Sequence, residues 1–395
     1  MKQIYETNLN FLLIPDIQFN QDFLDELYIC RQIFNQESNP LFQTEPILYL
    51  QSLGNDWLTS LMILITSMGS SAFLVSIVII VTFGISFRKG FLLFQLLIWT
   101  GLITEIIKTV IAFPRPDYVD NRVLNLEYGV KSTSPFNGSG TDGVFQLPDK
   151  EVLETFRLQE TLSPSPFGFP SGHVAITTAL WGGSSTIFNS RKIKMMAPFM
   201  VLLVALSRMY LGRHFLGDIL GGAIIGLFFL TAFTFFLKSS LKDDFFKKEN
   251  FELALRRKNL ILYFVLFVIP LVLIASSMIS AEAAGFFLGT NAAYVLIIRR
   301  GLPDDAGSTE QRVLRIFIAF LLFGISSLIL SIGFENIETA AYFGPTLIEF
   351  LKAFIPASTI WVSVVICTKL NLYRREREFL SSRKGTLEQP GHGME

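Results

Sequence analysis

The sequence predicts an all-α fold: a polytopic membrane helical bundle with about nine transmembrane helices. Three observations predict it. Hydrophobic residues make up 51% of the 395 residues, and mean hydropathy is +0.47; soluble domains average about 45–50% apolar even with glycine counted. Several segments exceed the roughly 18 apolar residues that mark a spanning helix. Lysines and arginines gather in alternate loops, the bias that sets membrane orientation.

Taken in order, residues 1–56 form an extracytoplasmic or interfacial N-terminal segment, with eight acidic residues against two basic ones. Its apolar pieces, such as 11–14 and 46–50, are too short to span and suit a surface position. No apolar h-region follows Met1-Lys2, so no signal peptide is expected. Residues 57–237 form the membrane core. A hydrophobic block at 57–87 is longer than one helix requires, so an interfacial turn precedes a span at 69–87. Arg88-Lys89 leads into a second span at 90–113.

The chain then turns polar over 117–168, an extracytoplasmic loop of the length usually associated with lids or disorder. Its aromatic residues Tyr118, Phe136, Phe145, Phe156, Phe167 and Phe169 either fold the loop on itself or face a substrate. Asn137-Gly-Ser139 is a glycosylation sequon of low specificity. Further spans follow at 171–188, 193–211 and 216–237. Residues 238–368 add C-terminal transmembrane helices at 258–278, 281–298, 313–332 and 346–368, and 369–395 is a cytoplasmic tail.

With nine alternating spans, Arg88-Lys89, Arg191/Lys192/Lys194, the run from Lys238 to Lys258, Arg299-Arg300 with Arg312/Arg315, and Arg374-Arg375-Arg377 share one side. The N-terminus and the 117–168 loop fall on the other. This places the N-terminus outside or in a lumen, in a plasma, inner or endoplasmic reticulum membrane, and the C-terminus in the cytoplasm. A net charge of zero gives no case for nucleic-acid binding. Cys30 and Cys367 fit neither a disulfide framework nor a metal site.

Three polar clusters reach the extracytoplasmic side in this topology. The first is Lys108 with Arg115 and Pro116, where two prolines end the helix and hold Arg115 at the surface. Lys108 lies about two turns deep, either paired with Glu105 or snorkelling outward. The second is Pro170-Ser-Gly-His173, where Ser171 and Gly172 present amides at a helix start suited to an anion. The third is the stretch from Ser207 to Asp218. His214 and Asp218 are four apart and so share one helix face, which lets the carboxylate fix the imidazole tautomer. Arg208 brings a planar fork for phosphate, and Gly212 breaks the helix so that Arg208 and His214 converge. Arg213 has no assigned role. The bland alternative is a short loop whose basic residues decorate a helix end. Two of the three histidines, His173 and His214, lie on this one surface. Cations with two histidines match phosphoryl transfer, where positioning and electrostatics dominate. No Asp/Glu cluster at metal-ligand spacing accompanies them, so neither metal nor cofactor is expected.

Lys108-x6-Arg115-Pro116, Pro170-Ser-Gly-His173 and Ser207-Arg208-x5-His214-x3-Asp218 resemble the complete three-part signature of the type 2 phosphatidic acid phosphatase (PAP2) superfamily. The resemblance covers about residues 90–230. Its membrane branch includes lipid phosphate phosphatases, sphingosine-1-phosphate phosphatases and glucose-6-phosphatase, whose nine-span layout is similar. The resemblance implies that His214 forms a phosphohistidine, Asp218 supports it, and His173 protonates the leaving alcohol and later activates water. It further implies that Lys108, Arg115, Ser171, Gly172 and Arg208 hold the phosphate. The expected function is metal-independent hydrolysis of a membrane lipid phosphate monoester at the extracytoplasmic or lumenal face. Alternatives are a sugar phosphate substrate, phosphoryl transfer to another lipid, or a transporter or lipid-phosphate binding protein that kept the fold; binding alone would not need His173, His214 and Asp218 together.

Overall fold

The computed structural model describes residues 43–111, 113–120, 122–128, 167–240, 245–253, 256–276, 278–335 and 344–373. These form α1 (Glu45–Ser52), α2 (Asp56–Ser67), α3 (Ser71–Ile85), α4 (Phe87–Ile111), α5 (Pro116–Val119) and α6 (Gly172–Ile187). There follow α7 (Arg191–Tyr210), α8 (Leu216–Ser240), α9 (Arg257–Ala275), α10 (Ala281–Arg300), α11 (Thr309–Glu335) and α12 (Pro345–Lys369). No named strand forms among the described residues, and an isolated antiparallel bridge joins Pro114 to Phe167. The first 42 residues, most of the polar loop with Phe136, Asn137, Phe145 and Phe156, and the basic tail lie outside the described residues.

The fold is all-α. Among the described residues seven helices, α4 and α7 to α12, are long and apolar enough to cross a membrane, and the chain is a multi-pass membrane protein. The two remaining expected spans take other forms. The 69–87 span is α3, which passes the length and composition test only together with α2, as a pair bent at a short break. The 171–188 span is α6, 16 residues long, about 24 Å at 1.5 Å per residue and short of the ~20 residues a full crossing takes.

The described residues divide into two units. The first holds α1, α2, the second half of α4, α5, most of α6, all of α7 and the first half of α8. Within it α6 and α8 come close because Gly222 and Gly226, spaced i,i+4, carry no Cβ. A Cβ on Gly226 would lie 2.6 Å from the Ala175 carbonyl oxygen, and one on Gly222 would strike the Ser171 carbonyl. Small residues at this spacing are how membrane helices approach backbone to backbone. An apolar cluster of Ile47, Phe113, Val123, Val174, Ala205, Met209, Phe215 and Ile219 lies under the polar end of this unit. Four of its members are the sequence neighbours of site residues: Val174 follows His173, Met209 follows Arg208, Phe215 follows His214 and Ile219 follows Asp218. Burying each such side chain contributes roughly 1.5–3 kcal/mol relative to water, so a single core holds four polar side chains from three helices in register.

In the second unit α10 is the most buried of the seven long helices and α11 the least. Polar side chains tie the unit together: Thr82 and Tyr294 share a 2.7 Å hydroxyl bond, and Gln95 donates to Asn291 Oδ1 at 2.7 Å. Asn291 in turn donates to the Leu266 carbonyl at 2.8 Å, within the π-helical turn Phe264–Val268 of α9. None of the expected site residues belongs to this unit.

Candidate active site

The site begins with how α7 ends. Gly212 has φ +74°; its amide donates to the Met209 carbonyl at 2.9 Å, and the Arg213 amide to the Arg208 carbonyl at 3.0 Å. This pair of bonds is a Schellman cap, which requires a left-handed residue, normally glycine, one position past the helix end. The cap binds the backbone of Arg208 to the residue preceding His214, so the turn itself brings the two ends of the motif together.

α8 then starts at Leu216. Asp218, in its first turn, reaches back to accept the Phe215 amide at Oδ2, 2.9 Å, the reciprocal half of a capping box. The same Oδ2 lies 3.3 Å from His214 Nδ1. His214 and Asp218 are both buried. With Nδ1 turned to the carboxylate, Nε2 is the nitrogen left for chemistry. Burial first, and then the charges of Arg115, Arg208, Lys108 and His173, hold the His214 imidazole well below its ordinary pKa. Those four side chains therefore lie within electrostatic range of it, and the three motifs meet at one place.

Ser171 departs from expectation. α6 begins at Gly172 rather than at Pro170, and the Ser171 amide donates to the Asp218 backbone carbonyl at 2.9 Å. Its amide joins α6 to α8, while its hydroxyl is fully buried without a hydrogen-bond partner. The hydroxyl, more than the amide, is the donor free for a ligand. Gly172 faces Lys108, whose Nζ lies 3.9 Å from where a Gly172 Cβ would be. Lys108 itself donates to Glu105 Oε1 at 2.6 Å. This is the local pairing its spacing allowed, and it coexists with a position beside the site.

Arg115, between its two prolines, donates from Nη1 to the Arg213 carbonyl at 3.3 Å. Burial, then Arg213 and Arg208, lower its pKa, a strain that a bound anion would relieve. Arg208 is buried and donates from Nη1 to Thr66 Oγ1 at 2.9 Å and to Glu127 Oε1 at 2.8 Å.

Several contributors had no signal in the sequence. Arg213 is 1% exposed and lies 3.3 Å from Asp117 Oδ2 and 3.3 Å from Glu127 Oε2, with its guanidinium over the Tyr128 ring at 5.2 Å. It is the counter-charge of these two carboxylates. Gly69, at the break between α2 and α3, would place a Cβ 2.7 Å from His173 Cδ2. Gly168 donates its amide to the Phe113 carbonyl at 2.6 Å, and a Cβ there would lie 2.8 Å from Asp218 Oδ2. Only contact geometry distinguishes these glycines from the others. Among the described residues no three His, Cys, Asp or Glu side chains group as metal ligands do.

Residues 89–242 match a family model described as PAP2 superfamily, a span that contains all three motifs. That match, with a curated relative, supports a phosphatase, a phosphoric monoester hydrolase. The relative is phosphatidylglycerophosphatase B of Bacillus subtilis (strain 168), 29% identical over 187 residues, which cover 44% of this chain and 73% of that protein. No solved structure matches the chain. The PAP2 match leaves α1 to α3 and α9 to α12 outside it, so Thr66 and Gly69 are contributed by a part of the chain that the match does not reach.

Proposed function

We propose that this protein is a PAP2 phosphatase that hydrolyses a lipid phosphate monoester through a phosphohistidine on His214. The observation that carries the reading is the buried His214–Asp218 pair, with Nδ1 at 3.3 Å from the carboxylate, set among Lys108, Arg115 and Arg208. The B. subtilis relative, by its name a phosphatase of phosphatidylglycerophosphate, supports a lipid substrate, and the long apolar helices give its acyl chains a medium to remain in.

In this reading Lys108, Arg115, Arg208, Gly172 and the Ser171 hydroxyl hold the phosphate oxygens and offset charge that grows in the transition state. His214 Nε2 donates its lone pair to phosphorus while the bond from phosphorus to the lipid oxygen breaks. His173 gives that oxygen its proton, and the lipid alcohol leaves. His173 then takes a proton from water. The water oxygen attacks phosphorus, the P–N bond breaks, and inorganic phosphate departs with His214 neutral again. Asp218 stabilises the Nδ1–H throughout. No step calls for a metal or cofactor. The distribution of lysines and arginines supports an extracytoplasmic or lumenal site, with a cytoplasmic C-terminus.

The test is phosphate release by the purified protein in detergent. The panel is phosphatidylglycerol phosphate, phosphatidate, sphingoid-base phosphate, isoprenoid phosphate and hexose phosphates. Lipid phosphates are expected to be turned over, with activity retained in EDTA and blocked by orthovanadate. Preference for glucose 6-phosphate, or loss of activity in EDTA, refutes this reading.

A further inference from the structure

We infer that Glu127, together with Thr66, positions Arg208 for phosphate. The inference rests on the reading of Arg208 as a phosphate ligand and adds two residues to that machinery. Both partners meet one corner of the guanidinium: Nη1 donates to Thr66 Oγ1 at 2.9 Å and to Glu127 Oε1 at 2.8 Å. A guanidinium carries five N–H groups in a rigid plane, so fixing Nη1 sets the direction of the opposite edge. On that edge Nε is buried and has no hydrogen-bond partner. A buried donor left unpaired is costly, and an oxygen of a bound phosphate group would satisfy it.

Glu127 is placed to act as a fixed support. The Leu126 amide before it donates to the Leu211 carbonyl at 3.2 Å. Gln51 bonds both the amide and the carbonyl of Leu124, and also the Tyr210 carbonyl. Asn125 donates to Asp117 at 3.1 Å. The segment is thus stapled to the end of α7, the helix that carries Arg208. The second oxygen of Glu127 lies 3.3 Å from Arg213 Nε, so one carboxylate separates two buried guanidiniums that would otherwise repel each other. A carboxylate that instead competed with phosphate for Arg208 would have the opposite effect on anion binding, and this difference in sign makes the proposal testable.

Full-length protein in detergent is compared with Glu127→Gln, which keeps shape and hydrogen bonding but loses charge, and with Thr66→Val, which removes only the neutral half of the clamp. Size-exclusion profile and melting temperature establish folding. Glu127→Gln is expected to weaken orthovanadate inhibition and raise KM on the order of tenfold, the scale of one charge-assisted hydrogen bond, and Thr66→Val by less. In the Glu127→Gln background Arg208→Lys should cost less than in wild type, because the two act as one unit. Vanadate binding that is unchanged in both variants, or tighter in Glu127→Gln, overturns the inference. Wild-type protein inert towards every lipid phosphate defeats the functional reading instead; thermal stabilisation by vanadate, compared between wild type and Glu127→Gln, still decides the role of Glu127.

Discussion

Asp218 Oδ2 stands 3.3 Å from His214 Nδ1 and 2.9 Å from the Phe215 amide, so one carboxylate oxygen both orients the imidazole and caps the helix that carries it. These duties separate by substitution. Asp218→Asn keeps an acceptor for the cap and loses the charge that favours the imidazolium. Turnover is expected to drop by roughly 10⁴, the scale seen when a triad aspartate becomes asparagine, with little change in melting temperature. Asp218→Ala is expected to lose as much activity and also about 1 kcal/mol of stability, as for a lost cap. Equal melting temperatures for the two variants would argue against the capping role. His214→Ala should release no phosphate while still inserting in the membrane.

The environment of His214 fixes the sign of a pH effect. Burial, then four neighbouring positive or titratable groups led by Arg115, disfavours its cation and keeps its pKa under 6.5. The imidazole is therefore neutral at neutral pH, the form that a nucleophilic role would require. Carbethoxylation of His214 by diethyl pyrocarbonate, followed by peptide mass spectrometry, should reach its plateau below pH 6.5. Arg115→Ala should move that midpoint upward. Because the unfolded chain takes up this proton first, the same shift makes stability fall as pH drops below 6.5. A midpoint at or above 6.5 in the wild type contradicts the electrostatic account.

Gly69 tests whether the break between α2 and α3 belongs to the site. A Cβ at this position would lie 2.7 Å from His173 Cδ2, closer than contact allows, so Gly69→Ala must shift the imidazole or the bend. If His173 handles the leaving-group proton, kcat is expected to fall by about 10²-fold, the usual reach of general acid catalysis, with KM changing far less. Substrates with a good leaving group, such as p-nitrophenyl phosphate, should lose less. An equal loss on both substrates would remove His173 from that role.

Arg213 makes a prediction about stability. It is buried between Asp117 and Glu127, and removing one partner of a buried ion pair costs about 3–5 kcal/mol through the uncompensated charge that remains. Arg213→Leu should lower the melting temperature markedly. Asp117→Leu added to it should recover part of the loss, because the carboxylate left behind is then gone too. A double variant less stable than the single one would contradict that account.

The sequence by itself determined the class of fold and singled out the candidate site residues. Long apolar runs can satisfy their backbone within a membrane only as helices, and His214-x3-Asp218 needs just one helical turn to meet. Gly212 announced the break that a Schellman cap then realised. Tertiary structure decided what depends on distant segments. The Ser171 amide was expected to be free, but the close α6–α8 approach at Gly222 turns it to Asp218 and leaves the hydroxyl as the donor. Expected spans at 69–87 and 171–188 became a bent pair and a 16-residue helix; hydropathy records how apolar a segment is but not where the chain must bend to reach a site. Thr66 and Glu127, 142 and 81 positions from Arg208, carry no local pattern at all. Their part arises because three buried arginines need counter-charges and acceptors, and only the folded chain says which residues are close enough to supply them.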